Sequence, residues 1–77
     1  MDTSTELILI RITGLDRPWL TASMTEILSQ YDVTILDIGQ ADIHSTLSLG
    51  ILFKSPKKDS GNILKELLFK VLVLGIN

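Results

Sequence analysis

Between Thr46 and Lys54, Leu47, Leu49, Ile51 and Phe53 alternate with Thr46, Ser48, Gly50 and Leu52. A two-residue period places the first set on one face of a strand and the second set on the other. Such a strand needs a cover for its apolar face, and this chain has few other means of holding itself together. It has 77 residues and no cysteine, which excludes disulfides and any cysteine-based metal or redox site. Its single histidine, His44, builds no histidine cluster. Ordering a chain this short costs on the order of 100 kcal/mol, at roughly 1.5 kcal/mol per residue, which a small core barely offsets. Self-association is the expected extra stabilisation. Disorder is not expected, since 45% of residues are hydrophobic and 21% charged. The net charge of −2 and isoelectric point near 5.1 disfavour nucleic acid as a partner, because phosphate contacts need a basic footprint.

Leu7 to Ile12 reads as a first strand, with Ile8, Ile10 and Ile12 on one side and Leu7, Leu9 and Arg11 on the other. Gly14 then permits a sharp turn, Asp16 suits a helix cap, and Pro18 suits a first helical turn. A helix is predicted from Arg17 or Pro18 to Gln30 or Tyr31, its buried stripe formed by Leu20, Met24, Ile27, Leu28 and Tyr31. Val33 to Ile43 reads as a second strand with a bulge or close approach at Gly39. A turn over Asp42–Ser45 then joins it to the strand at Thr46–Lys54 as a hairpin. Ser55 to Asn62 reads as a loop. A second helix is predicted over roughly Gly61 to Leu74, with Ser60 as its cap, Gly75 past its end, and Ile63, Leu64, Leu67, Leu68, Val71 and Leu72 as its apolar face. The alternative for Val71 to Ile76 is a short strand. The order βαββα is a ferredoxin-like α+β pattern (a split βαβ), with an antiparallel sheet, two helices on one face and the final strand missing. Residues 1–77 form one domain that stops before a fourth strand.

The segment from Gly14 to Leu20 is the most informative for function. A strand-to-helix turn offers free backbone N–H groups and the positive end of the helix dipole, to which a carboxylate can dock. The same residues also serve as ordinary turn and cap residues. Gly14-Leu15-Asp16-Arg17-Pro18 followed by Leu20-Thr21 resembles the ACT domain family, small regulatory modules that bind amino acids. Thr34 to His44, with its Asp37-Ile38-Gly39-Gln40-Ala41-Asp42-Ile43 run, and Leu47 to Phe53 are similar to the N-terminal ACT region of bacterial phosphoserine phosphatases. The resemblance covers Glu6 to Gly75. It implies a βαββαβ fold, side-by-side pairing of sheets, and an amino acid site. That site comprises Gly14, Leu15, Asp16, Arg17, Pro18, Trp19 and Leu20 of the turn, with Gly39 and Gln40 from the neighbouring strand region. The ligand it implies is a small amino acid such as serine.

Two departures from the family pattern matter. Trp19 stands where the family usually has glycine, so its indole either fills the pocket or anchors an interface. The chain also ends before the family's fourth strand, and it contains none of the phosphatase domain: there is no nucleophile motif, Asp37 and Asp42 are five apart, and Asp16 stands alone. No activity is expected of the chain by itself, no cofactor either, and magnesium only in an absent catalytic domain. Asp37 reads equally as an interface or an exposed residue, His44 as solvated, Lys54, Lys57, Lys58 and Asp59 as a solvated loop, and Arg11 as a carboxylate partner or a marker of the exposed sheet face.

Three function classes follow: an amino acid sensor, an assembly module without a ligand, and a small phosphate hydrolase. The last needs an amide near Arg17 to orient water, and none stands close to it in sequence. The expected partner is a second ACT domain or another copy, joined through sheet edges. The polar, acidic start from Met1 to Glu6 is unlike a signal peptide. The longest apolar run, Val71 to Leu74, is too short to cross a bilayer. A cytoplasmic location with no membrane partner is the expectation.

Overall fold

The structure, a computed structural model, describes residues 4–15 and 19–75. The chain forms β1 (Thr5–Leu15), α1 (Leu20–Ser29), β2 (Thr34–Ile43), β3 (Thr46–Pro56) and α2 (Lys57–Gly75). The sheet order is β1-β3-β2, with β3 antiparallel to both neighbours. This is the expected antiparallel sheet, with both helices on one face and β1 at an edge.

The alternation in β3 decides the layering. Leu47, Leu49, Ile51 and Phe53 are buried, facing Leu20, Met24, Ile27 and Leu28 of α1 and Ile63 and Leu67 of α2. Burying each such side chain contributes about 1.5–3 kcal/mol, so β3 is the centre of the fold. Ile8, Ile10 and Ile12 pack against this core only in part. Leu64, Leu68 and Leu72, expected on the apolar face of α2, remain 42%, 61% and 49% exposed. Leu64 and Leu68 lie on the flank of the helix that lines a trough beside β1.

Several local readings are corrected, and the helical reading of Val71 to Leu74 holds over its strand alternative. Gly14 makes no turn: it pairs with Leu47 inside β1, and no described glycine has positive φ. The irregularity in β2 falls between Ile35 and Asp37, not at Gly39, which pairs squarely with Gly50. The polar stretch after Lys54 is no loop, because Ser55 and Pro56 extend β3 opposite Glu6 and Thr5 and α2 starts at once. Ser60 is therefore inside the helix and does not cap it. Its hydroxyl bonds Glu6 and the Pro56 carbonyl, while Asp59 supplies the negative charge that favours a first helical turn. Val71 to Gly75 is helical, not a strand. The hairpin turn is tighter than expected, with His44 and Ser45 alone between the strands at φ 50 and 68. Two left-handed residues in a two-residue loop make a type I′ turn, whose twist suits the flanking strands.

Candidate functional site

The β1–α1 junction lies at one end of the sheet, where Leu15 still pairs with Thr46. Asp16, Arg17 and Pro18 lie outside the described residues. Trp19 occupies the N-cap position of α1, with φ −93 and ψ −1, and gives no side-chain cap. Its carbonyl accepts the Ser23 N–H at 2.9 Å. Its indole is 52% exposed, whereas the next residue, Leu20, is buried in the core. Trp19 itself therefore offers the first N–H groups of α1 none of the oxygen that a Ser, Asp or Asn supplies at this position. No acidic side chain occupies the first turn.

Gln40 is brought to this helix start within the same chain. Thr21 Oγ1 donates to Gln40 Oε1 at 2.8 Å. Gln40 Nε2 donates to Asp42 Oδ2 at 3.2 Å. Both ends of the amide are thus oriented, and a carboxylate sits two residues along β2 from it. Gly39 is on the opposite face. It pairs with Gly50, and both line a hollow of about 400 Å³ on the sheet surface away from the helices, together with Leu9, Arg11, Asp37, Gln40, Ala41, Ser48 and Leu52. The expected site is therefore spread over two places: Trp19 and Leu20 belong to the helix side, Gly39 to the open side, and Gln40 touches both, its amide bonded to Thr21 of α1 and the residue also lining the hollow. Gly14 is exposed and open around its Cα.

Thr21 and Asp42 were not singled out from sequence as site residues, although both orient Gln40. The available signal was the two-residue spacing of Gln40 and Asp42 on one strand face. A second depression, about 560 Å³, runs beside β1 under the flank of α2, lined by Ile10, Ile12, Leu64, Leu67, Leu68 and Val71 among others. Among the described residues no three acidic or histidine side chains gather to hold a metal ion. No described helix is long and apolar enough to cross a membrane.

Comparison with known proteins fits this geometry. A solved ACT domain from the GTP pyrophosphokinase of Chlorobium tepidum superposes with a TM-score of 0.65 at 23% identity, covering 91% of this chain and 87% of that one. A solution structure of the same domain gives 0.64 at 25% identity, covering 90% and 78%. A phosphoserine phosphatase of Mycobacterium tuberculosis is 39% identical over 49 residues, which is 64% of this chain and 12% of that protein. The chain thus spans about an eighth of the length of that relative. The ACT domain family model matches residues 6–77, so the chain belongs to the ACT domain family, whose members are regulatory and non-catalytic modules.

Proposed function

We propose that this ACT domain is the N-terminal regulatory part of a phosphoserine phosphatase of serine biosynthesis, that it pairs with another ACT domain, and that it senses a small amino acid such as serine. The observation that carries the reading is the oriented Gln40–Asp42 pair beside the start of α1, where Trp19 gives no side-chain cap. An amino acid's carboxylate is suited to free N–H groups at a helix start. Its ammonium is suited to the Asp42 carboxylate and the Gln40 carbonyl oxygen. The similarity to a phosphoserine phosphatase supports serine as the candidate ligand. In this reading the module works in the cytoplasm, needs no cofactor, and leaves magnesium to a catalytic domain elsewhere.

Trp19 bears on access. A half-exposed indole at the N-cap restricts approach to the backbone, so binding to the unaltered chain should be weak. Calorimetric titration of serine into the chain and into Trp19→Gly tests this. Binding at least tenfold tighter in the variant, lost again on adding Asp42→Asn, supports the reading. Tight binding that ignores Trp19→Gly would show that the indole gates nothing. Absence of binding in both forms favours the second reading, a ligand-free assembly module, which the exposed Trp19 also supports.

A further inference from the structure

The registers place Arg11, Gly50 and Gly39 in one row across the sheet, and Leu9, Leu52 and Asp37 in the next. All six belong to the face away from the helices, because Leu49 and Ile51 on either side of Gly50 are buried. This face is uneven. Leu7 and Leu9 stand out from β1, 66% and 61% exposed. The row through Gly50 and Gly39 is a hollow, and a Cβ added at Gly39 meets nothing within 4 Å. A positive charge stands on one side of the hollow and a negative charge on the other.

We infer that this face pairs with the same face of a second copy, Arg11 of each copy lying in the other's hollow and reaching the other's Asp37. A two-fold axis along the strands exchanges β1 with β2 and leaves β3 facing itself. Arg11 then lies over Gly39 of the second copy. Asp37 of that copy is two residues along the strand, about 7 Å away, and packed sheets stand about 10 Å apart, within the combined reach of the two side chains. Leu52 meets Leu52 on the axis. Lys54, two residues along β3 from Leu52, comes close to Lys54 of the second copy, and this like-charge approach opposes the pairing. The helices are on the far side and obstruct nothing. Three strands about 15 Å wide and about 35 Å long cover on the order of 500 Å² per copy. The total of about 1,000 Å² is at the lower bound for a specific interface, so a weak, salt-sensitive dimer is expected. The inference goes beyond the proposed function, since it concerns the open face of the sheet rather than its edges or the start of α1, with Gln40 the one residue that reaches both.

Sedimentation equilibrium on the full chain tests it, using Arg11→Asp, Asp37→Arg, their equimolar mixture, and Gly39→Val. Each single substitution puts like charges together at both contacts and should weaken association at least tenfold. The mixture restores two opposite-charge contacts and should regain association close to the original. Gly39→Val fills the hollow with a good strand former and should also weaken association, while circular dichroism remains that of the folded chain. The inference is overturned if the original chain is monomeric at high micromolar concentration, if the single variants associate as it does, or if the mixture associates no better than its components. It is equally overturned if Arg11→Asp and Asp37→Arg lose a bound amino acid or a partner protein but leave self-association unchanged.

Discussion

Ser60 Oγ donates a 2.5 Å hydrogen bond to Glu6 Oε2, joining residues 54 positions apart. Beside it the Lys57 N–H donates to the Ser4 carbonyl at 2.7 Å. These two bonds fasten the first turn of α2 to the start of β1, at the end of the sheet away from the β1–α1 junction. Ser60→Ala removes one partner and leaves a half-buried carboxylate facing an apolar methyl. The expected loss is about 1–2 kcal/mol, given that hydrogen bonds to charged groups contribute about 1.5–3 kcal/mol when well buried. Urea unfolding of Ser60→Ala, Glu6→Gln and the double variant measures the coupling. Additive effects would mean that the bond contributes nothing.

Tyr31 and Glu66 form the corresponding tie between the end of α1 and α2. The Tyr31 hydroxyl donates to the Glu66 carboxylate, and this bond is the main reason the phenol ionises above its usual range, with desolvation and the nearby carboxylates adding to it. The neutral phenol is thus favoured in the folded chain. Its contribution to stability is complete below the ordinary tyrosine value of about 10 and is lost as pH rises through the higher folded value. Tyr31 is the only tyrosine, so phenolate absorbance reports it alone. Glu66→Gln should move the midpoint down toward about 10; an unchanged midpoint would remove Glu66 as the cause.

His44 and Ser45 both hold left-handed backbone without being glycine or asparagine. That conformation costs about 1–2 kcal/mol per ordinary residue. Ser45→Gly should stabilise the chain by about 0.5–1 kcal/mol after the added freedom of the unfolded state is subtracted. A lower melting temperature than the parent chain would contradict this.

Leu68 is 61% exposed and lines the trough beside β1. Leu68→Lys should change the stability of the single chain by no more than about 0.5 kcal/mol. It should weaken association at least tenfold if pairing uses the β1 edge. Unchanged association would direct edge pairing to β2.

Incubation of the chain with phosphoserine and magnesium should release no phosphate above background. The described residues bring no metal-binding cluster together. Turnover that follows the purified chain through chromatography would contradict the non-catalytic assignment.

The core was legible because its signal is local. The period of β3 and the stripe Leu20-Met24-Ile27-Leu28-Tyr31 each announce a buried face without knowledge of the partner; eight of these nine residues are buried, and Tyr31, past the end of α1, is half-buried against the core. The start of α2 was not legible, since Pro56-Lys57-Lys58-Asp59-Ser60-Gly61 has the composition of a loop. What makes Ser60 helical is a bond to Glu6 at the far end of the chain, which no short window contains. The same limit applies to the site. Gly39 and Gln40 are adjacent in sequence, yet the pleat sends them to opposite faces, and only the register with β3 shows which face holds the start of α1.

All ten residues of β2 are exposed, although the strand pairs along β3 at every position but Leu36. Its hold on the fold is mainly a ladder of backbone bonds open to water, with Thr21 gripping Gln40 from above. Regions with few buried apolar contacts open locally at free energies well below that of global unfolding. In amide exchange β2 should therefore lose protons long before β3, which carries the core. Gln40 and Asp42 ride on this most easily detached strand, so a ligand that bridges them to α1 would register as slowed exchange along the whole of β2. The weakest element of the fold would then be its most sensitive reporter.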